Sequence, residues 1–569
     1  MGGTFTMTDL GGLGFRGRAD LSAPVDHDDT VRAQVANNAL QPMGVVLDVS
    51  GAGAIVALDP ERLSECAQDT DPAIIASGQV GSQLKIRAGE NWLLATIRSQ
   101  RRDRRGTGGI IAEIDFLGEG REEKLTGRIH GFRRGITRYP VPGGMVFPAS
   151  TSDLRHIFAS DGRSYIEVGT VFPTRDIRAG LYIDTLLGKH FALLGSTGTG
   201  KSTATALILH RICEAAPQGH VIMVDPHGEY ASAFKESGAT LDVSNLKMPY
   251  WLMNFEEHCE ILLTSRGNER QGDADILAKC LLAARLKNRM AEDLGKITVD
   301  SPVPYMLSDL SAALNKEMGE LEKASGTAPY MRIKAKLDEV KSDPRYRFLF
   351  SGMLVGDTMA EFLSRIFRLP TDGKPICVID VSGVPSDITS TVVAVLSRLV
   401  FDYAVWAREE RTRPILLVCE EAHRYVPNEK NFDNSSVGKV LSRIAKEGRK
   451  YGVALGLITQ RPSDLAEGVL SQCGTIISMR LNNERDQAFV KAAMPEGARG
   501  FLDAIPALRN RECIICGEGV TIPIRAAFDT LEEHRRPASE DPSFSALWSE
   551  SGGEEEAIER VVRRWRSHA

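Results

Sequence analysis

The sequence has few cysteines and no long apolar run. Its nine cysteines are scattered through 569 residues, and an odd count with no small-domain framework indicates reduced intracellular thiols rather than a disulfide-stapled secreted protein. No apolar stretch approaches the roughly 18 residues that cross a bilayer, and the N-terminus lacks a basic segment followed by an apolar one. We therefore expect a cytoplasmic protein with no membrane segment.

Excess charge of one sign is also missing. Lys and Arg number 69 against 75 Asp and Glu, a net charge of -6, which argues against a chain coated in positive charge for nucleic acid but allows a local basic lining. Hydrophobic residues make up 42% and charged residues 25%, which excludes global disorder and fibrous classes. The length predicts about three to four domains, or one large domain with insertions.

One cysteine pair has the spacing of a metal site. Cys513 and Cys516 are separated by two isoleucines, but no second CxxC or His pair lies nearby in sequence. A zinc site needs four ligands, so we interpret this apolar run as a strand.

The pattern of the chain divides it into four parts. Residues 1–41 are rich in Gly and Asp and predict a flexible arm, in which a G-x-G-x-x-G at Gly12–Gly17 has neither the strand nor the helix of a dinucleotide site. Residues 42–165 carry short β-like segments between charged turns, the strongly basic Arg98–Arg105 among them, and predict a small β-barrel. Residues 536–569 form a polar tail that we expect to be helical or mobile.

Residues 166–535 alternate apolar strands with helical segments, which is typical of an α/β domain with a parallel sheet covered by helices. Within it, residues 254–367 are mostly helical and predict an insertion.

The strongest motif is a glycine-rich loop between a strand, Phe191–Leu194, and a helix. In a P-loop, backbone N–H groups surround phosphates, the Lys neutralises the β and γ charges, and the Ser hydroxyl holds Mg²⁺. Lys201 and Ser202 stand at those positions. We predict that ATP is bound by Gly195, Ser196, Thr197, Gly198, Thr199, Gly200, Lys201, Ser202 and Thr203.

Two adjacent acids follow another apolar strand, Ile415–Val418. P-loop enzymes need a carboxylate for the Mg²⁺ shell, and often one that polarises the attacking water. Glu420 is predicted to serve the metal and Glu421 the water. Paired acids at a strand end can also be plain surface charge.

Two further strand ends carry polar groups that we expect at the same edge of the sheet. Val221–Val224 leads to Asp225 and Glu229, which are candidates for the metal side, although Asp225 could equally cap a helix-start turn. Val453–Ile458 leads to Gln460, a candidate sensor of the γ-phosphate or the water, or a capping amide.

A basic ridge is predicted on the helix that starts near Val437. Its cations, repeating at helical spacing, face either solvent or phosphates, whether of DNA or of a nucleotide in a neighbouring subunit; they are Lys439, Arg443, Lys446 and Lys450. Arg449 is the first candidate for an arginine finger, followed by Arg443, Arg461 and Arg480.

With these residues, the sequence resembles the HerA family of the FtsK–HerA branch of P-loop ATPases, over about residues 43–528. The match rests on the P-loop, on the barrel segments Val80–Ser82, Arg134–Ile136 and Tyr139–Gly143, and on five further segments: Asp225–Tyr230, Glu420–His423 with Pro427, Glu447–Gly452, Thr459–Ser463, and Met479–Asn483 leading to Asp486.

The resemblance implies a RecA-like core with an N-terminal barrel. It further implies a homohexameric ring that hydrolyses ATP with Mg²⁺ between subunits and moves double-stranded DNA through its pore. An effector on the barrel face is implied too: a NurA-like nuclease in DNA-end processing, or a sirtuin-like enzyme or another nuclease in antiphage defence. Lys189 stands where relatives often carry an Arg that acts across the interface, and Glu420 stands where an Asp is more usual.

Three alternatives share parts of this pattern. An export ATPase has a similar core but needs a membrane anchor or docking partner. A ring scaffold whose ATP binding assembles and gates an effector has the same motifs without translocation. A metabolic nucleotide kinase fits poorly, because the sequence offers no second phosphate pocket.

The predicted pore-lining segments are the helical insertion and residues 431–439.

Overall fold

The computed structural model describes residues 41–103, 109–122, 129–158, 162–174, 176–320, 326–351, 355–410, 413–428, 435–494, 499–538, 544–549 and 555–568. The predicted arm up to residue 40, with its G-x-G-x-x-G, lies outside the described residues, as do residues 431–434 of the predicted pore segment.

Seven antiparallel strands build the N-terminal part. They are β1 (Gly44–Val49), β2 (Gly53–Leu58), β3 (Gln83–Ala88), β4 (Asn91–Arg102), β5 (Ile110–Glu122), β6 (Ile129–Arg134) and β7 (Met145–Pro148). The order is β2-β1-β7-β3-β4-β5-β6, and a further pairing of β2 with β5 closes six of the strands into a barrel, with β6 added on β5. Closure leaves the six strands without a free edge, and the side chains that alternate inward, such as Val46, Leu84 and Ile114, fill the interior.

One boundary differs from the sequence expectation. The basic turn predicted at Arg98–Arg105 is strand as far as Arg102, because β4 continues pairing with β5 up to the partners Arg102 and Ile110. Arg98 does not face solvent freely, since it bonds to Glu113 at 2.8 Å and Asp115 at 3.2 Å on β5.

The second sheet has eleven strands. They are β8 (Tyr165–Val171), β9 (Arg178–Tyr182), β10 (Phe191–Leu194), β11 (His220–Asp225), β12 (Gly238–Leu241), β13 (Ile376–Asp380), β14 (Ile415–Cys419), β15 (Val453–Thr459), β16 (Thr475–Met479), β17 (Glu512–Gly517) and β18 (Ile524–Phe528). The order is β12-β13-β11-β14-β15-β10-β16-β17-β18-β8-β9, parallel from β12 to β16 and antiparallel beyond. Fully buried, apolar strands such as β10 and β14 are what a sheet covered on both faces requires.

Helices precede, cover and follow the sheets. They are α1 (Pro60–Cys66), α2 (Pro72–Ile75), α3 (Thr151–Ile157), α4 (Ile183–Gly188), α5 (Lys201–Ala215), α6 (Phe255–Leu262), α7 (Asn268–Arg285), α8 (Met290–Asp293), α9 (Leu307–Gly319), α10 (Ala328–Ser342), α11 (Met359–Phe367), α12 (Thr389–Trp406), α13 (Ser436–Tyr451), α14 (Glu467–Leu470), α15 (Glu484–Ala493), α16 (Arg499–Leu502), α17 (Phe544–Ser549) and α18 (Glu555–His568). Helices α6 to α11 occupy the segment between β12 and β13, where the sequence predicts the insertion.

The expectation that no segment is long and apolar enough to span a membrane is wrong for helix α12. Thr389–Glu409 passes by length and composition, and 61% of its apolar window is buried within the protein. Residues such as Val392 and Leu396 pack in the same core as the sheet, and α12 packs along α13. The core position of this helix accounts for its apolar composition.

The barrel and the α/β part are joined by specific bonds. Arg134 at the end of β6 donates to the carbonyls of Thr521 at 2.6 Å, Gly517 at 2.5 Å and Val520 at 2.8 Å. Asp115 of β5 accepts from the backbone N–H of Gly500 at 2.9 Å. These contacts attach β5 and β6 to the antiparallel side of the large sheet.

Candidate active site

The polar strand ends named by the sequence meet at one edge of the large sheet. Strand β10 lies between β15 and β16, and β14 lies next to β15 on one side and β11 on the other. All five strands are parallel, so their carboxyl ends share an edge. The loop after β10 therefore lies beside the residues that follow β11, β14 and β15.

The glycine-rich loop connects β10 to α5 in the geometry that phosphate binding needs. Gly198 and Gly200 have φ values of +76° and +93°, a region that residues with a side chain rarely adopt. Gly195 packs closely against Met479, since a Cβ there would lie 2.9 Å from that side chain. Helix α5 begins at Lys201, so the loop residues lie at its positive end.

Lys201 contacts both predicted carboxylates. Its Nζ lies 2.5 Å from Oε1 of Glu420 and 3.4 Å from Oε1 of Glu421, and all three side chains are buried. Burial by itself lowers the pKa of Lys201, but the two carboxylates outweigh it and raise the pKa above its usual range. Burial raises the pKa of Glu420 in spite of the nearby ammonium.

Glu421 follows β14 with its backbone in the left-handed region, at φ +48°. Its Oε2 lies 3.2 Å from Nδ1 of His423 but without hydrogen-bond alignment, so within the described residues this buried oxygen has no hydrogen-bond partner. Burial raises the pKa of Glu421, but His423 and the ammonium of Lys201 outweigh this and hold it below the usual range. Glu421 is thus an ionised carboxylate with one oxygen available to a water molecule.

Tyr230 connects the loop after β11 with the carboxylates. Its hydroxyl donates to Oε2 of Glu420 at 3.1 Å, and the hydroxyls of Ser202 and Thr205 lie within hydrogen-bonding reach of its oxygen. Complete burial raises its pKa, so the phenol stays protonated and acts as a donor.

Asp225 is occupied by its own turn. Its carboxylate accepts from the backbone N–H groups of His227, Gly228 and Tyr230 at 3.1, 2.9 and 2.9 Å. The geometry is that of the turn cap that the sequence left open as the alternative to a metal-side role. Glu229 lies in the same turn, partly exposed, and its backbone carbonyl accepts from Ala538.

Gln460 lies against the P-loop. Its Oε1 accepts from the hydroxyl of Thr197 at 2.5 Å. The amide of Gln460 therefore contacts the P-loop at the same edge of the sheet as Glu421.

The candidate cations divide between the two edges of the sheet. Arg480 and Arg461 follow β16 and β15 at the P-loop edge; the carbonyl of Arg480 accepts from Ser196 N–H at 2.9 Å, and Arg461 is exposed beside Asp464. Arg449 and Lys189 lie at the opposite edge, since Arg449 is in the last turn of α13 before β15, and Lys189 precedes β10. A strand of this length spans about 20 Å, which separates Arg449 from the P-loop of its own subunit.

The basic ridge is partly neutralised within the chain. Lys439 pairs with Glu256 at 2.6 Å, and Arg443 lies over the ring of Phe401 at 4.5 Å. Lys189 contacts both carboxylate oxygens of Glu518 at 2.5 Å. Lys446 and Lys450 are exposed, as is Arg449. All four cations of the ridge are exposed, since the side chains of Lys439 and Arg443 remain 47% and 55% exposed in spite of their contacts.

Three contributors were not assigned a role from the sequence: Tyr230, His423 and Arg511. Tyr230 and His423 belong to segments that carried the family resemblance, so those motifs were the available signal. Arg511 has no local motif. It immediately precedes β17, and the pairing of β17 with β16 beside β10 brings its backbone N–H to the carbonyl of Thr199 in the P-loop.

A glycine-rich loop at the start of a helix, with a lysine and two strand-end carboxylates beside it, defines a P-loop ATPase. The large sheet and the closed small sheet confirm the expected RecA-like α/β core with a small N-terminal barrel. The family model of the central domain of the helicase HerA matches residues 166–400. Residues 166–400 are therefore similar to the central domain of the HerA family.

Curated relatives extend this match over most of the chain. The DNA double-strand break repair helicase HerA of Pyrococcus furiosus is 26% identical over 490 residues, which cover 79% of this chain and 84% of that protein. The DNA double-strand break repair helicase HerA of Sulfolobus acidocaldarius is 26% identical over 418 residues, covering 70% and 78%.

Solved structures resemble the chain more distantly. VirB4 of Thermoanaerobacter pseudethanolicus has a TM-score of 0.47 at 16% identity, covering 65% of this chain and 97% of that one. The plasmid coupling protein TrwB in complex with the non-hydrolysable ATP analogue ADPNP has a TM-score of 0.44 at 13% identity, covering 69% and 95%.

Proposed function

We propose that this protein is an ATP-driven motor that translocates or unwinds double-stranded DNA as a homohexameric ring. The observation that carries the proposal is the contact of Lys201 with Glu420 and Glu421 at the end of β14, in a chain whose relatives are named DNA double-strand break repair helicases. The P-loop site supports ATP hydrolysis, and the names of the relatives support DNA as the substrate.

The residues divide the work of hydrolysis. The backbone of the P-loop and Lys201 hold the β- and γ-phosphates, and a phosphate competes with Glu420 for the ammonium of Lys201. Glu421 orients the attacking water through its available oxygen and accepts a proton from it. Gln460, held at Thr197, lies where it can sense the terminal phosphate or the water.

The site also fits Mg²⁺. Tyr230 brings together two oxygen donors of the kind that Mg²⁺ prefers, the hydroxyl of Ser202 and the carboxylate of Glu420. These two residues would hold the ion, which neutralises charge on the β- and γ-phosphates. Asp225, whose oxygens cap its own turn, is a weaker candidate.

A ring assembly would give a role to the cations at the edge of the sheet opposite the P-loop. Arg449 is exposed and about a strand length from its own P-loop, so it can reach a nucleotide only in a neighbouring subunit. Arg449 remains the first candidate for the finger in trans, with Arg443, Arg461, Arg480 and Lys189 as the others.

The proposal includes an effector and a place in the cell. We infer that a NurA-like nuclease, a sirtuin-like enzyme or another nuclease docks on the barrel face, and that the complex acts in DNA-end processing or antiphage defence. All nine cysteines are buried as free thiols, which fits a reducing cytoplasm.

The test is ATP hydrolysis by the full chain with and without linear double-stranded DNA, with particle mass recorded on the same samples. The proposal expects a six-subunit mass and DNA-stimulated hydrolysis that is lost in Lys201→Ala and Glu421→Gln. A hexamer whose hydrolysis ignores DNA would instead support the ATP-gated scaffold. Full activity in a monomer would contradict catalysis between subunits.

A further inference from the structure

Arg511 is fixed against the P-loop from the antiparallel side of the sheet. Its backbone N–H donates to the carbonyl of Thr199 at 3.0 Å, and its own carbonyl accepts from Phe528 at 2.9 Å. Its φ is +67°, a conformation that a residue with a side chain adopts only when the surroundings impose it. The two backbone bonds hold this residue in place.

The side chain of Arg511 runs along the start of α5. Its Cγ lies 3.4 Å from the position that a Cβ on Gly200 would take, and its guanidinium donates to the hydroxyl of Thr530. The residue is exposed, and across the described ranges no carboxylate forms an ion pair with it. A cation with spare N–H donors therefore borders the phosphate-binding loop of its own subunit.

The order of the strands decides which part of a nucleotide this cation meets. Glu420 and Glu421 follow β14, two positions from β10 on one side, whereas Arg511 precedes β17, two positions from β10 on the other. The terminal phosphate must lie near Lys201 and Glu421, where hydrolysis takes place. The remainder of the nucleotide then extends away from β14, toward β17.

We propose that Arg511 binds the nucleotide in cis at its α-phosphate, on the side opposite the hydrolytic carboxylates. A guanidinium forms short, charge-assisted bonds to phosphate oxygens, and the Thr530 hydroxyl sets its direction. The α-phosphate is present in both ATP and ADP, so Arg511 contributes equally to the binding of both. This inference rests on the P-loop ATPase site and is independent of DNA movement.

The test compares Arg511→Gly with Arg511→Lys. Glycine adopts φ +67° without strain, so the first variant keeps the backbone and removes only the side chain. Arg509→Ala, which removes an exposed arginine two residues away, is the matched control. Dissociation constants for ATP and for ADP, each with Mg²⁺, are measured by titration calorimetry, together with the thermal midpoint of every variant.

Arg511→Gly is expected to weaken the binding of ATP and of ADP by the same factor, about tenfold or more, with an unchanged thermal midpoint. Arg511→Lys is expected to lose less, and Arg509→Ala nothing.

Unchanged affinities in Arg511→Gly would overturn the inference, and so would a loss confined to ATP, which would place the contact at the γ-phosphate. ATP hydrolysis that does not respond to DNA would contradict the proposed motor but would not affect the inference about Arg511.

Discussion

The ammonium nitrogen of Lys201 lies 2.5 Å from Oε1 of Glu420, with both side chains almost fully buried. Removing one partner leaves the other charge buried without compensation, whereas removing both does not. Lys201→Met alone is expected to lower the free energy of unfolding by about 3 kcal/mol, and Lys201→Met with Glu420→Gln by much less. Chemical denaturation of the single and double variants measures this coupling; additive effects would contradict it.

Glu421→Gln removes the base while keeping the size of the side chain. Because Glu421 orients and deprotonates the water, turnover is expected to fall by about 10²- to 10⁴-fold with ATP binding retained. Steady-state hydrolysis and nucleotide titration check the two parts separately. Glu467→Gln, an exposed acid on a neighbouring helix, should leave both unchanged. Near-normal turnover in Glu421→Gln would remove this residue from the mechanism.

His423→Ala should change the pH dependence of turnover. His423 and Lys201 together lower the pKa of Glu421 against the effect of burial. The base must be ionised, so the rate falls as pH drops through this pKa, and loss of His423 raises the pKa and moves the acid limb to higher pH. A pH profile of kcat measures the shift, and His227→Ala, an exposed histidine at the same edge, is the control. An acid limb that stays in place would show that His423 does not act on Glu421.

Tyr230→Phe isolates one hydroxyl in the buried cluster. The hydroxyl donates to Oε2 of Glu420, so its loss leaves a buried carboxylate oxygen without that partner. We expect the free energy of unfolding to fall by about 1–3 kcal/mol. Tyr139→Phe, whose hydroxyl bonds to Gly51 at the exposed surface, should have little effect in the same denaturation experiment. Equal losses in the two variants would argue against a special role for the buried phenol.

Arg134→Ala tests the attachment of the barrel. The side chain donates to three backbone carbonyls at the end of β17 and in the loop that follows it, and these acceptors lose their partner in the variant. A destabilisation of about 1–2 kcal/mol is expected, with faster proteolysis between the barrel and the α/β part. Arg133→Ala, the exposed neighbour on β6, serves as the control. If both variants resist protease like the parent, the barrel is held by its apolar contacts alone.

Local sequence patterns were sufficient for the fold class and for the positions of the P-loop and of the two acids at strand ends. The glycine-rich loop between a strand and a helix predicted the P-loop, and two acids after an apolar strand predicted Glu420 and Glu421, because phosphate and water chemistry need those groups at strand ends. Local pattern was misleading at Arg98–Arg105, where charged residues indicated a turn but cross-strand pairing with β5 extends the strand to Arg102.

Sequence by itself determined which chemical groups this protein carries and that the strand ends bring them to one edge. Only the tertiary structure decided which groups touch: Lys201 lies between two carboxylates, Tyr230 donates to Glu420, and Asp225 caps its own turn. The tertiary structure also placed Arg511 at the P-loop and Arg449 at the opposite edge of the sheet. The physical reason is that strand order and pairing join residues hundreds of positions apart, and burial then sets the charge and partner of each group.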